Sequence, residues 1–105
     1  TKTWCWQQGC RLQWYKDDQS IFYNFLDDNK KYSSIIQDIY TKQMIKKLNF
    51  PLYDIDKSRK WGISLNFSRL ERLRPGYGYS NLKDDTINVL YPKKDGVWIV
   101  DIFLK

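Results

Sequence analysis

An all-β chain is what this sequence predicts, and three observations carry that prediction. Aromatic residues fill 17% of the 105 positions, with five Trp and eight Tyr, and there is no Ala. Aromatic side chains suit pleated strands, whereas a helical bundle would draw on Ala and Leu. Two apolar hairpin patterns also recur in the same order, with polar turns between short apolar runs.

Taken in chain order, the Trp-rich opening WCWQQGCRLQW (Trp4–Trp14) reads as core, as does Trp61 further on. Gln8 and Arg11 stand out there, because polar groups between buried strands must find partners or face a channel. LQWYKDDQSIFYNF (Leu12–Phe25) then gives a strand, a polar turn and an alternating strand closing on Asn-Phe. SIIQDIYTK (Ser34–Lys42) supplies a third strand and Met44–Leu48 a fourth.

The pattern then restarts. LYDIDKSRKWGISLNF (Leu52–Phe67) repeats the first hairpin, placing Asn24 and Asn66 42 positions apart. VWIVDIFLK (Val97–Lys105) repeats SIIQDIYTK, placing Asp38 and Asp101 63 positions apart. A four-stranded unit recurring every ~40–50 residues is the signature of a β-propeller blade. The expected architecture is about two blades of four-stranded antiparallel sheet in one unit spanning 1–105. The first blade covers about 12–48. The second, incomplete, covers about 52–105 and carries an insertion at 68–90. Because two blades cannot close a ring, and because the chain opens on Thr1, it reads as cut from something longer or as a unit that associates with others. The expected partners are further blades of the same protein or another copy of the chain.

The insertion holds RLERLRPGYGYS (Arg69–Ser80). Ser68 and Glu71 fit the capping box S-x-x-E, predicting a short helical turn with Leu70 and Leu73 on one face and Arg69 and Arg72 on another. Pro75 should stop that turn at Arg74. Gly76 and Gly78 permit positive φ and close backbone approach, and Tyr77 and Tyr79 alternate with them. Guanidinium forks beside tyrosine faces suit a carboxylate, a phosphate or a sugar ring. Arg69, Arg72, Arg74, Tyr77 and Tyr79 are therefore the candidate ligand-binding residues, with Gln8 and Arg11 beside them. The competing reading pins the leucines and tyrosines to the sheet and leaves the arginines in solvent. Lys93–Gly96 reads as a hairpin turn, with Gly96 left-handed ahead of the last strand.

Several classes of chemistry are excluded or disfavoured. No His is present, and Cys5 and Cys10 are the only cysteines, so no catalytic Ser–His or Cys–His pair can form within the chain. Two thiols without imidazole do not make a four-ligand zinc site, and neither metal nor cofactor is expected. The C-x4-C spacing leaves a small disulfide and two free thiols both open. Asp17-Asp18, Asp27-Asp28 and Asp84-Asp85 lie in polar turns, with nothing to separate their pKa values for acid–base work. Eighteen cations against twelve acids give +6. Thirteen of the cations are lysines scattered along the chain. This reads as a solvated basic surface, and nucleic acid is not an expected partner because only Arg69, Arg72 and Arg74 cluster. No apolar run approaches the ~20 residues that span a bilayer, and no signal-peptide core is visible.

WQQGCRLQW, IFYN and SLNFSRLERLRPGYGY, followed by DGVWIVDI, resemble an uncharacterised bacterial family of TolB-like β-propellers. The similarity runs in order along nearly the whole chain, and RPGYGY is its most specific part. It implies blades within a six- or seven-bladed ring, in a family some of whose members are associated with cell-surface polysaccharide. Related oligogalacturonate lyases use histidine-bound metal, which this chain cannot supply. The expected function is a non-catalytic binding or scaffolding segment contacting a glycan or protein through the inserted loop. The alternative is the substrate-binding part of a polysaccharide lyase or hydrolase whose catalytic residues lie elsewhere.

Overall fold

The computed structural model describes residues 3–16, 18–89 and 93–103. Asp17 of the first acidic pair, position 90 of the expected insertion and the last two positions of the expected second unit lie outside the described residues. Four strands come first: β1 (Gln13–Lys16), β2 (Ser20–Leu26), β3 (Tyr32–Asp38) and β4 (Met44–Leu48). They form an antiparallel sheet in the order β1-β2-β3-β4. A second antiparallel sheet has the order β5-β6-β7, from β5 (Asp54–Ile55), β6 (Trp61–Leu65) and β7 (Val97–Asp101). Helix α1 (Phe67–Leu73) lies between β6 and β7. The chain is thus mostly β, with its insertion between β6 and β7. No helix among the described residues is long and apolar enough to cross a membrane.

The two sheets share internal landmarks. The Ile39 N–H donates to Gln19 O at the end of the β2–β3 ladder, and the Ile102 N–H donates to Lys60 O at the matching point of the β6–β7 ladder. Asp38 accepts from the amides of Tyr40 and Thr41, and Asp101 accepts from the amide of Phe103. Asp18 and Arg59 both take positive φ, 61° and 62°, in the turns before β2 and β6. Few residues other than Gly adopt that conformation, so its recurrence at matched places ties the hairpins together.

These landmarks correct one detail of the sequence match. Asp38 and Asp101 correspond, 63 positions apart, but Gln19 and Lys60 are 41 apart. Asn24 therefore corresponds to Leu65, not to Asn66. Asn24 sits buried in mid-strand, whereas Asn66 caps α1. The shared Asn-Phe is a coincidence of sequence one residue out of structural register, which in a strand means the opposite face.

The sheets pack through a core of Phe22, Ile36 and Leu48 from the first against Leu52 and Ile102 of the second, with Tyr15, Phe50, Ile55 and Val100 around them. Full burial of each such side chain stabilises by about 1.5–3 kcal/mol. Lys46 reaches across to donate from Nζ to Ile102 O. A second core joins Cys5, Phe67 and Tyr79 with Tyr32, Tyr53, Leu65 and Leu70.

Asn24 links the two cores. Its Nδ2 donates to Leu52 O at 2.8 Å and to the Tyr79 hydroxyl at 3.0 Å, and its Oδ1 accepts from the Leu52 N–H at 2.8 Å.

Two further expectations change, and one left open is decided. The tryptophans are not core: Trp4, Trp6, Trp14 and Trp61 are all exposed, with Trp6 84% accessible. Trp14 pairs with Ile21, and Trp61 with Asp101, on the faces turned away from the sheet–sheet contact. Gly96 does not take the left-handed conformation expected ahead of β7, since it is not among the positive-φ glycines, and positions 90–92, which the expected hairpin would pair with β7, lie outside the described residues. Cys5 and Cys10 are free thiols, the first buried and the second half-buried.

Candidate functional site

Helix α1 begins two residues earlier than the capping box implied. Asn66 is the N-cap, and its Oδ1 accepts from the Arg69 N–H at 3.0 Å. Ser68 lies buried inside the first turn, and Glu71 turns to the far end, where it accepts from the Gly76 N–H at 2.6 Å. Asn66 has the extended backbone an N-cap needs, with φ −81° and ψ 98°, so it takes the role. The helix stops at Leu73 with Arg74 as C-cap, directly before Pro75, as expected. Of its two leucines, Leu70 packs against the second core while Leu73 stays exposed.

Gly76 adopts φ +97° and turns the chain back. Gly78 then passes so close to the helix that a Cβ there would lie 2.5 Å from Glu71 N and nearer still to Phe67 O. The group that the Gly78 backbone approaches is α1 itself, and the Tyr79 N–H donates to Phe67 O at 3.1 Å.

The five residues expected to bind a ligand do not converge. Arg69 donates from Nη1 to Thr86 Oγ1 at 3.0 Å, and Arg72 from Nε to Asp84 Oδ2 at 2.7 Å. Both guanidinium groups thus hold the 84–86 turn against α1. Asp84 is nearly inaccessible and takes two further hydrogen bonds from Thr86, through its N–H and its Oγ1. Burial works against its charge, but the bonds from Thr86 and Arg72 outweigh it and lower the carboxyl to about 2.

Arg74 lies over the Tyr77 ring at 5.1 Å on an exposed bend. Tyr79 cannot offer a face to any ligand, because it is fully buried, stacked on Phe67 at 4.4 Å and tilted against Tyr32 at 5.3 Å. That burial pushes its hydroxyl well above the usual range despite the hydrogen bond from Asn24.

Gln8 and Arg11 face no channel. Gln8 Nε2 donates to the Tyr53 hydroxyl at 2.9 Å. Arg11 donates from Nε and Nη2 to Tyr53 O at 2.8 and 2.5 Å, while its guanidinium lies 4.2 Å from the Tyr53 ring centroid. They pin the segment before β1 to the segment before β5.

What the insertion builds instead is a cleft of about 1000 Å³ between the β2–β3 turn, the link before β5 and the residues that follow α1. Lys30 and Lys31 approach from the turn, Lys83 from the segment after α1, and Lys93 and Lys94 from the approach to β7. All five are exposed, and the ion pairs among the described residues, Lys47–Asp27 and Arg72–Asp84, involve none of them. Asp85 and Asp95 are the acidic groups of the lining. Asp95 is held by Asn66 Nδ2 at 2.9 Å.

Trp98 enters from β7, 44% exposed, and Tyr32 lines the wall. The Tyr32 hydroxyl fixes that wall by accepting from the Leu82 N–H at 2.9 Å and donating to Tyr79 O at 3.3 Å.

The sequence reading missed these lysines because they looked dispersed. The doublets Lys30-Lys31 and Lys93-Lys94 are visible signals, but their convergence depends on the fold. Chemically, five ammonium groups against two carboxylates around an indole make a site for an anion that also carries an apolar face. No group of three His, Cys, Asp or Glu suited to a metal ion occurs among the described residues. Comparison with protein-family models, with curated proteins and with solved structures finds no match to this chain.

Proposed function

We propose that this chain is a non-catalytic binding and scaffolding segment, built of β-propeller-type blades, whose inserted segment holds an acidic glycan in the lysine-rimmed cleft. The observation that carries the reading is the meeting of Lys30, Lys31, Lys83, Lys93 and Lys94, from separate stretches of the chain, around the half-open Trp98. A uronic-acid chain presents carboxylates along its edge and C–H faces on its rings, which suits ammonium groups beside an indole. Arg69 and Arg72 serve indirectly, by fixing the 84–86 turn as one wall. The recurrence of hairpin landmarks supports the blade reading.

The test is a tryptophan-fluorescence titration with a uronic-acid oligosaccharide and with a neutral oligosaccharide of the same length. Binding of the acidic chain alone is expected, weakened as salt shortens the reach of the lysines from about 10 Å at 0.1 M. Lys30→Ala with Lys31→Ala should weaken it about fivefold to tenfold, and Trp98→Ala should weaken it further and remove most of the signal. Equal affinity for the neutral chain, or indifference to the lysine changes, would overturn the reading.

A further inference from the structure

The two sheets stack in one sense. In the first sheet the face bearing Phe22 and Ile36 packs on the second. By the 41- and 63-residue correspondences, the counterparts of those residues are Ile63 and Ile99, which pair directly across β6 and β7. They do not face the shared core. Ile63 is 40% and Ile99 76% exposed, beside Trp61 and Val97 at 43% and 70%.

The converse holds for the other surface. Gly62 and Val100 of the second sheet face the core, and their counterparts, Ile21 and Gln37, lie on the outer face of the first sheet. That face is also apolar. Leu12, Ile21, Tyr23, Phe25 and Ile35 surround a shallow hollow of about 520 Å³.

Each chain therefore carries, unused and pointing in opposite directions, counterparts of both halves of an interface that it already makes internally. Apolar surface of this extent seldom stays bare. Asp54 and Asp101 stand in register with Ile63 and Trp61 on the second outer face, and Lys47, paired with Asp27, stands in register with Ile35 on the first. We propose that the outer face of the second sheet docks onto the outer face of the first sheet in a second copy of this chain, repeating the internal stack from head to tail. Such a contact joins unlike surfaces, so it leaves one of each kind free and extends into a run or closes into a ring. The proposal stands on strand register and burial, independently of what the cleft binds.

Light scattering on the 105-residue chain over about 5–500 µM tests it. The mass should climb from 12.8 kDa through successive multiples as concentration rises. Val97→Lys with Ile99→Lys blocks one face, and Leu12→Lys with Tyr23→Lys blocks the other. Each variant alone should associate at least tenfold more weakly. Mixed in equal amounts, the two should form one-to-one dimers and stop, since one intact face of each kind remains. Should a double variant fail to fold, the single exposed change Ile99→Lys keeps the test open, because it too should weaken association. A constant mass of 12.8 kDa over the whole range would overturn the proposal. So would a dimer abolished by the second-sheet changes but indifferent to those in the first, which would mean like faces pairing symmetrically.

Discussion

Replacing Asn24 should destabilise this protein more than any loss of apolar volume at that position explains. The side chain is fully inaccessible and makes three hydrogen bonds: two to the Leu52 backbone and one to the Tyr79 hydroxyl. In Asn24→Ala the Leu52 N–H and C=O lose their partners in a dry interior. Each buried orphan costs about 1–3 kcal/mol, more than the net worth of the bond it lost. The two together cost about 2–6 kcal/mol, a large share of the ~5–15 kcal/mol that keeps a domain folded.

Urea unfolding followed by tryptophan emission measures this. With a slope of about 1.5 kcal/mol/M, the midpoint should fall by about 1–4 M. Tyr79→Phe should lose only about 1 kcal/mol, because the ring keeps its stack on Phe67. The two changes should be less than additive, since they share a bond. A loss below about 1 kcal/mol in Asn24→Ala would refute the idea that this amide fastens the sheets together.

Two further predictions concern the inserted segment. Gly78→Ala drives a methyl group into the backbone of α1 and should cost about 3 kcal/mol or detach the 76–79 bend, read as lost amide protection at Tyr79. Asp84, lowered to about 2, contributes stability that is fully present above about pH 4 and is lost as pH falls through about 2. Asp84→Asn should therefore shrink the acid limb over that window, with the Thr86 amide resonance reporting the release locally.

The strand plan was legible because alternation and turn residues encode it directly. Met44–Leu48 and the site of the insertion could be read from the repeat alone. The one-residue error at Asn66 arose because identical letters, Asn-Phe, belong to a strand in one copy and to a helix start in the other. Only hydrogen bonding reveals the difference.

The candidate site was legible in its location and not in its residues. The arginines were noticed for their chemistry, yet Arg72 spends its charge on Asp84 and Arg69 its donor on Thr86. The lysines that remain free carry no local pattern beyond two doublets, since what gathers them is contact between distant segments. The tryptophans misled for a related reason: both sheets have two apolar faces, and sequence does not say which one the chain covers.

The most direct test of the cleft as the binding site is an amide chemical-shift titration of the labelled chain with a uronic-acid oligosaccharide. Saturable shifts should gather at Lys30, Lys31, Tyr32, Lys83 and the Trp98 indole, and leave Gln8 and Arg11 unmoved. Shifts centred on Arg74 and Tyr77, or spread evenly over all the lysines, would contradict it.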